Sequence, residues 1–247
     1  MQKYLFLHLG FIMKKVLKFI FVKVPLALFL LSLLAVTVLK WVPVYVTPLM
    51  IMRAVEFRHD DDFKTTRKWC RLEDISPEMM KAVITSEDNL FCKHHGFDMK
   101  AIKEAREENK EGKRLRGGST ISQQTAKNVF TFHKRTLWRK GVEGYFTVLI
   151  ELIWGKERIM EVYLNVIETG KGVYGVQAAA QKYFHKDAAE LSRKEASAIA
   201  VCLPSPLKRN PGKPSSYVAS RTATISKRIP NIHYPEWIED NVSRQGH

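Results

Sequence analysis

Apolar positions follow two regimes along this chain. Between Val24 and Leu39 the stretch VPLALFLLSLLAVTVL carries no charge and no period. Before it, Lys14, Lys15, Lys18 and Lys23 mix with large apolar residues, and Lys40 closes it ahead of WVPVYV. A helix of roughly 20 apolar residues crosses a bilayer. Val22 to Leu39 or Trp41 reaches that length, with Lys23 and Lys40 placed to snorkel to the two interfaces. Pro25 falls in the first turn, where its missing N–H is no loss. A cleaved signal peptide would show a shorter apolar core and a small-x-small cleavage site, and no convincing site follows. The pattern predicts a basic N-terminus over 1–21 and a single transmembrane anchor over 22–46. Four lysines before the span against one after it predict a cytoplasmic N-terminus and an extracytoplasmic remainder.

Past the anchor, 47–68 reads as a polar connector containing the triplet Asp60–Asp62. Helical spacing then begins. Ser76-Pro77 is a cap followed by proline at the first helical position, and Met80, Ile84, Glu87 and Phe91 share one face until Gly96. Asp98 is placed to cap a second helix through Glu108. A basic, glycine-containing loop follows, and Thr120-Ile121-Ser122-Gln123 fits a capping box opening a helix to about Val129. A long helix from Leu137 to Trp154 breaks at Gly155. Lys156 to Asn165, 174–184 and 192–202 read as three more, ahead of a Pro-rich tail from Pro204. Strand signals are nearly absent. The expectation is a mainly α domain over 69–247 behind the anchor.

Composition narrows the partners. The chain has 247 residues, 45% of them hydrophobic and 26% charged, which fits globular order. The net charge is +15, which favours an anionic partner: nucleic acid, lipid headgroups or a diphosphate. Cys70, Cys92 and Cys202 are widely spaced and form no CxxC, so neither a disulfide framework nor a structural metal site is expected. Phe130, Phe132 and Trp138 lie among bases and could stack nucleobases, yet no nucleic-acid motif accompanies them.

Two carboxylates stand out. Glu87 lies in an apolar stripe, where desolvation raises a carboxyl toward the range that general acid–base chemistry needs; the plainer reading is a surface glutamate at the stripe's edge. Glu143 shares a face with Phe146, Ile150 and Ile153. It could flank a sugar bond together with Glu87, or simply bridge to Arg139-Lys140 at the surface. Glu151, inside LIELIW, reads as a structural partner for a base. Between the two candidates, Lys113, Arg114, Arg116, Lys127, Lys134, Arg135, Arg139 and Lys140 make a run with no acid. Gly117-Gly118-Ser119-Thr120 sits at its centre, at a helix N-terminus, where free N–H groups attract anionic oxygens. Gln123, Gln124, Lys127 and Asn128 follow as donors. No GK[ST] is present, so this is not a Walker A loop. Ser205-Pro206-Leu207-Lys208 matches S-x-x-K without SDN or KTG, and His94-His95 lacks a third ligand at a useful spacing; both are discounted.

Taken in order, four strings resemble glycosyltransferase family 51, the peptidoglycan glycosyltransferases. They are the run from Glu87 to Asp98 (EDNLFCKHHGFD), the run from Gly117 to Asn128 (GGSTISQQTAKN), Arg139-Lys140-Gly141-Val142-Glu143, and the run from Lys156 to Asn165 (KERIMEVYLN). The resemblance covers about 69–230. It implies a lysozyme-like helical fold and polymerisation of lipid II into glycan strands, with release of undecaprenyl diphosphate and inversion at the anomeric carbon. Glu87 would be the general base. Lys127, Arg135, Arg139 and Lys140 would neutralise the donor diphosphate. Glu143 would orient that site, orient a divalent cation, or assist proton transfer. Ser119, Thr120, Gln123, Gln124 and Asn128 would shape the cleft. No cofactor is required, although a divalent cation (Mg or Mn) stays open. The implied partners are lipid II, the growing strand, the inner membrane and other cell-wall synthesis and division proteins, with no nucleic acid. The competing readings are a lysozyme-like hydrolase or lytic transglycosylase, which would not need the run of bases, and a non-catalytic membrane scaffold.

Overall fold

The computed structural model describes residues 11, 13–15, 17–110, 118–132 and 136–239. The chain divides into two compact units between Val42 and Pro43. In the first, a π-helical turn at Phe19–Lys23 leads into α1 (Val24–Leu39). Together they belong to the 27-residue helix Met13–Leu39, which is long and apolar enough to cross a membrane. Leu28, Leu31 and Leu34 are all exposed on it; a helix apolar all round suits lipid rather than water.

The second unit is helical throughout, with one small sheet. Its elements are α2 (Pro48–Glu56), β1 (Thr66–Arg67), α3 (Pro77–Glu87), α4 (Met99–Lys110), α5 (Ile121–Phe130), α6 (Leu137–Ile153), α7 (Lys156–Val166), β2 (Glu168–Gly170), β3 (Val173–Tyr174), α8 (Val176–Phe184), α9 (Arg193–Cys202) and α10 (Ser216–Arg228). α9 packs between α3 and α10, and α5 packs on α6 and α7. Met79, Met80, Val83 and Ile84 of α3 and Ile199 of α9 are buried between them. Each such side chain contributes about 1.5–3 kcal/mol. Phe130 of α5 stacks on Phe146 of α6 with ring centroids 4.2 Å apart, so this aromatic is committed to helix packing and not to a nucleobase.

Three features depart from the sequence pattern. The first is α3, which stops at Glu87 instead of continuing to Phe91 and Gly96. Asp88 leaves the helical region (φ −159°, ψ 79°), and its carboxylate is taken by the next elements. Phe91 is still fully buried, from a turn. The second is α2, within the stretch that reads as a connector. Thr47 caps it, accepting from the Met50 N–H at 3.3 Å, and Leu49 and Met50 bury against Tyr174; nine residues were too few to register as a period. The third is α10, within the expected Pro-rich tail, capped by Ser215. The sheet, in order β1-β3-β2, pairs Thr66 and Arg67 in parallel with Val173 and Tyr174. Strands of two or three residues are too short to leave an alternation in the sequence.

Candidate active site

The letters of the first motif each have a mechanical task. Asp88 accepts the Ile121 N–H at the start of α5 (3.0 Å) and His94 Nε2 (2.9 and 3.0 Å). His94 Nδ1 accepts the Gly96 N–H at 3.1 Å, so Nε2 carries the proton given to Asp88. Gly96 has φ +90°, and a Cβ there would lie 2.8 Å from Thr147 Cγ2; only glycine fits. Its carbonyl accepts from Thr120 Oγ1 at 2.7 Å. Asp98 caps α4 through the Ala101 N–H. The result ties the end of α3 to the start of α5, and so sets Glu87 beside the helix opened by Thr120.

Glu87 keeps partial contact with solvent, but burial dominates its carboxyl and raises its pKa, partly offset by hydrogen bonds from Gln124 and Ser86. Gln124 Nε2 donates to Glu87 Oε2 at 3.2 Å, and Ser86 Oγ donates to Oε1 at 3.3 Å. Tyr163 of α7 donates to Gln124 Oε1 at 3.2 Å, which turns the amide nitrogen toward Glu87. Tyr163 is fully buried, and burial followed by the charges of Glu87 and Asp88 holds its hydroxyl well above its ordinary pKa, so it remains a donor. The hydrogen-bond partners of Glu87 are therefore neutral, an environment suited to a proton acceptor.

Glu143 is placed differently. Its side chain is 2% exposed, so its bridge is not a surface one. Arg139 Nη1 donates to one oxygen at 2.6 Å and Lys140 Nζ to the other. Both of its oxygens are thus held by cations. Among the described residues no group of three or more His, Cys, Asp or Glu gathers to hold a metal. Arg139 Nε is buried without a partner, and Lys140 Nζ also reaches Ser119 Oγ at 3.5 Å. Glu151 pairs with Lys156 at 2.7 Å and accepts from Ser122, a structural bridge as its position in the sequence indicated.

A cleft of about 520 Å³ opens beside these parts; it reaches Gln124 and Tyr163, which are linked to Glu87, and Arg139, which holds Glu143, while Glu87, Glu143 and Lys140 themselves are not among its lining residues. Of the sequence-derived candidates, Gln124, Lys127, Asn128 and Arg139 line it. Gln124, Lys127 and Asn128 lie three and four residues apart on α5, hence on one face. Thr120 and Gln123 are buried and spend their side chains on the capping box, Thr120 Oγ1 accepting the Gln123 N–H and Gln123 Oε1 the Thr120 N–H. They fix the helix rather than line the cleft. Ser119 is exposed at the helix mouth. Arg135 lies outside the described residues, as do Lys113, Arg114, Arg116 and Lys134 of the basic run. The cleft also contains Arg53 and Glu56 of α2, Tyr163, Glu168 and Pro204, which the sequence reading did not pick as site residues. Tyr163 lies in the last of the four family-like strings and Pro204 at the start of the expected tail; Arg53 and Glu168 gave no signal.

Comparison with known proteins gives a family and close relatives. A family model described as Transglycosylase matches residues 55–230, beginning two residues after Arg53. A biosynthetic peptidoglycan transglycosylase of Caulobacter vibrioides is 50% identical over 206 residues, covering 82% of this chain and 88% of that protein. The protein of the same description from Bdellovibrio bacteriovorus is 50% identical over 209 residues, 84% of each chain. That from Bacteroides thetaiotaomicron is 52% identical over 195 residues, 78% of this chain and 79% of its own.

Proposed function

The chain belongs to the transglycosylase family, and from that premise we propose how its cleft performs glycosyl transfer. The protein is an enzyme, a peptidoglycan glycosyltransferase of helical, lysozyme-like fold, whose substrates are lipid II and the growing glycan strand. Glu87 removes the proton from the 4-hydroxyl of the acceptor N-acetylglucosamine as that oxygen attacks the anomeric carbon of the donor. The bond to undecaprenyl diphosphate breaks, and the centre inverts. Negative charge grows on the departing diphosphate, and of the three described cations in the cleft lining Lys127 and Arg139 meet it, Arg53 being forked onto Glu168, with Arg135 and Lys140 beside them in sequence. Glu143 acts on the reaction through others: it sets the direction of Arg139 and Lys140.

The observation that carries this reading is the division of charge. A largely desolvated carboxylate with neutral hydrogen-bond partners stands next to a cleft lined by Lys127 and Arg139. A hydrolase of the same fold needs an acid but no cations for a diphosphate. Purified full-length protein with labelled lipid II tests it. Glycan polymer and undecaprenyl diphosphate are expected. Cleavage of finished glycan, with new reducing ends and no polymer from lipid II, would establish the hydrolase instead.

The helix Met13–Leu39 anchors the protein in the inner membrane with its N-terminus in the cytoplasm. Support comes from the lysines before the span. It comes also from Leu137, Trp138, Val148 and Leu152, exposed along α6 as a face suited to lipid. A reporter fused after His247 should be active only in the exported form; cytoplasmic activity would reverse the topology.

A further inference from the structure

Arg53 sits where neither the motifs nor the run of bases point, in the last turn of α2. Its guanidinium forks onto Glu168, Nε to Oε1 at 2.9 Å and Nη2 to Oε2 at 3.0 Å, while Nη1 reaches Glu56 at 2.6 Å. All three line the same cleft as Lys127 and Arg139. The Glu168 side chain is nearly buried, 6% exposed against 21% for Arg53.

Attachment of α2 does not require this pair. Leu49 and Met50 already bury against Tyr174, and a buried ion pair adds little net stability because desolvating both ions offsets most of their attraction. The pair has a clearer consequence inside the cleft. An unpaired Glu168, shielded from water and so weakly screened, would repel the anion that Lys127 and Arg139 attract. The planar fork of arginine covers both carboxylate oxygens at once, which an ammonium cannot do.

We propose that Arg53 is the charge-compensating residue of the substrate cleft: by holding Glu168 and Glu56 in ion pairs, it lets a wall that carries two carboxylates admit an anionic, diphosphate-type linker. Its role is specificity-determining, and it takes no part in proton transfer. The inference rests on the reading of the cleft as the site of a lipid diphosphate donor.

The test is steady-state polymerisation of labelled lipid II in detergent at low, fixed salt, well below each melting temperature. Full-length wild type is compared with Arg53→Gln, Arg53→Lys, Glu168→Gln and the double variant Arg53→Gln/Glu168→Gln. Losing a charged hydrogen-bond partner typically corresponds to about tenfold or more, so Arg53→Gln should raise KM about tenfold while kcat stays within roughly threefold. Adding Glu168→Gln should return KM to within roughly threefold of wild type, because the buried repelling charge is gone and the remaining Glu56, half exposed, is screened by water. Arg53→Lys should fall between wild type and Arg53→Gln, and higher salt should narrow the defect. A KM unchanged in Arg53→Gln, or a double variant as poor as Arg53→Gln, would overturn the compensation. Should Arg53→Gln not fold, Glu168→Gln alone decides: KM at or below wild type is expected, and a raised KM overturns the inference. Wild-type protein that makes no polymer would instead remove the glycosyltransferase reading on which the inference stands.

Discussion

Glu87 and Glu143 are the same residue type, each placed on a helix face among apolar neighbours, and they end in opposite electrostatic company. Glu87 closes α3 and is touched by an amide and a hydroxyl. Glu143 lies nearly two turns into α6 and has a cation on each oxygen. The lesson is that withdrawal from water alone does not make a carboxylate a base. The partners decide: around Glu87 neutral donors offset the desolvation only in part, so its proton affinity stays raised, whereas Glu143 is built into an ion-pair cluster with a cation on each oxygen.

The sharpest way to break that comparison is to neutralise Glu87. Glu87→Gln keeps shape and can still accept from Gln124 but takes no proton. A loss of about 10²–10⁴-fold in polymerisation is expected, with lipid II binding kept. Activity within roughly threefold of wild type, far short of that range, would remove Glu87 as the base. Next in size are the cations. Lys127→Ala and Arg139→Ala each delete a charge-assisted contact of about 1.5–3 kcal/mol, read as lipid II turnover at fixed salt. Lys186→Ala, which loses a half-buried bridge to Glu195, should change turnover little, since Lys186 is not among the residues that line the cleft. Equal losses in all three would mean that the bases act as diffuse charge.

Stability should separate the two glutamates by sign. Glu143→Gln leaves Arg139 facing an uncharged partner and should destabilise by about 1–3 kcal/mol, seen as a lower melting temperature. Glu87→Gln should do the reverse at neutral pH. Burial raises the Glu87 carboxyl, so the folded state holds its proton more tightly than the unfolded chain. That contribution is full below the ordinary carboxylate pKa, about 4.3, and is lost as pH rises through the raised value. Glutamine removes the burden of the charged form, so its advantage should fade on acidification. An advantage that does not change with pH would contradict the raised pKa. By the same shift, the acid limb of turnover should lie above the usual carboxylate range. The smallest effect concerns the helix carrying Glu143. A Cβ on Gly141 meets nothing within 4 Å, so Gly141→Ala should stabilise α6 by about 0.5–1 kcal/mol; a lower melting temperature would show a contact not apparent from the packing.

Much of the helical frame was legible because it is written locally. The capping box of Thr120 and Gln123, the break at Gly155 and the cap by Asp98 depend on neighbours within a turn, and each stands where the pattern put it. Glu87, Gln124, Lys127 and Arg139 were legible as candidates because unusual side chains recur in a specific order. The end of α3 was not, since Asp88 is drawn out of the helix by Ile121 and His94, groups 33 and 6 residues away. Nor were α2 and the Arg53–Glu168 pair, whose partners are 115 residues apart.

By itself, then, the sequence determined most of the longer helices, one apolar span long enough to cross a membrane, the family and the residue types available for chemistry, because apolar period, caps and motif order are short-range information. Only the tertiary structure decided which glutamate has neutral company and which is clamped, that Thr120 and Gln123 serve the helix cap while Arg53 and Glu168 enter the cleft, and that Tyr163 aims Gln124 at Glu87. Those outcomes depend on which distant groups share one desolvated space. There hydrogen bonds and charges act over a few ångströms, whatever their separation along the chain.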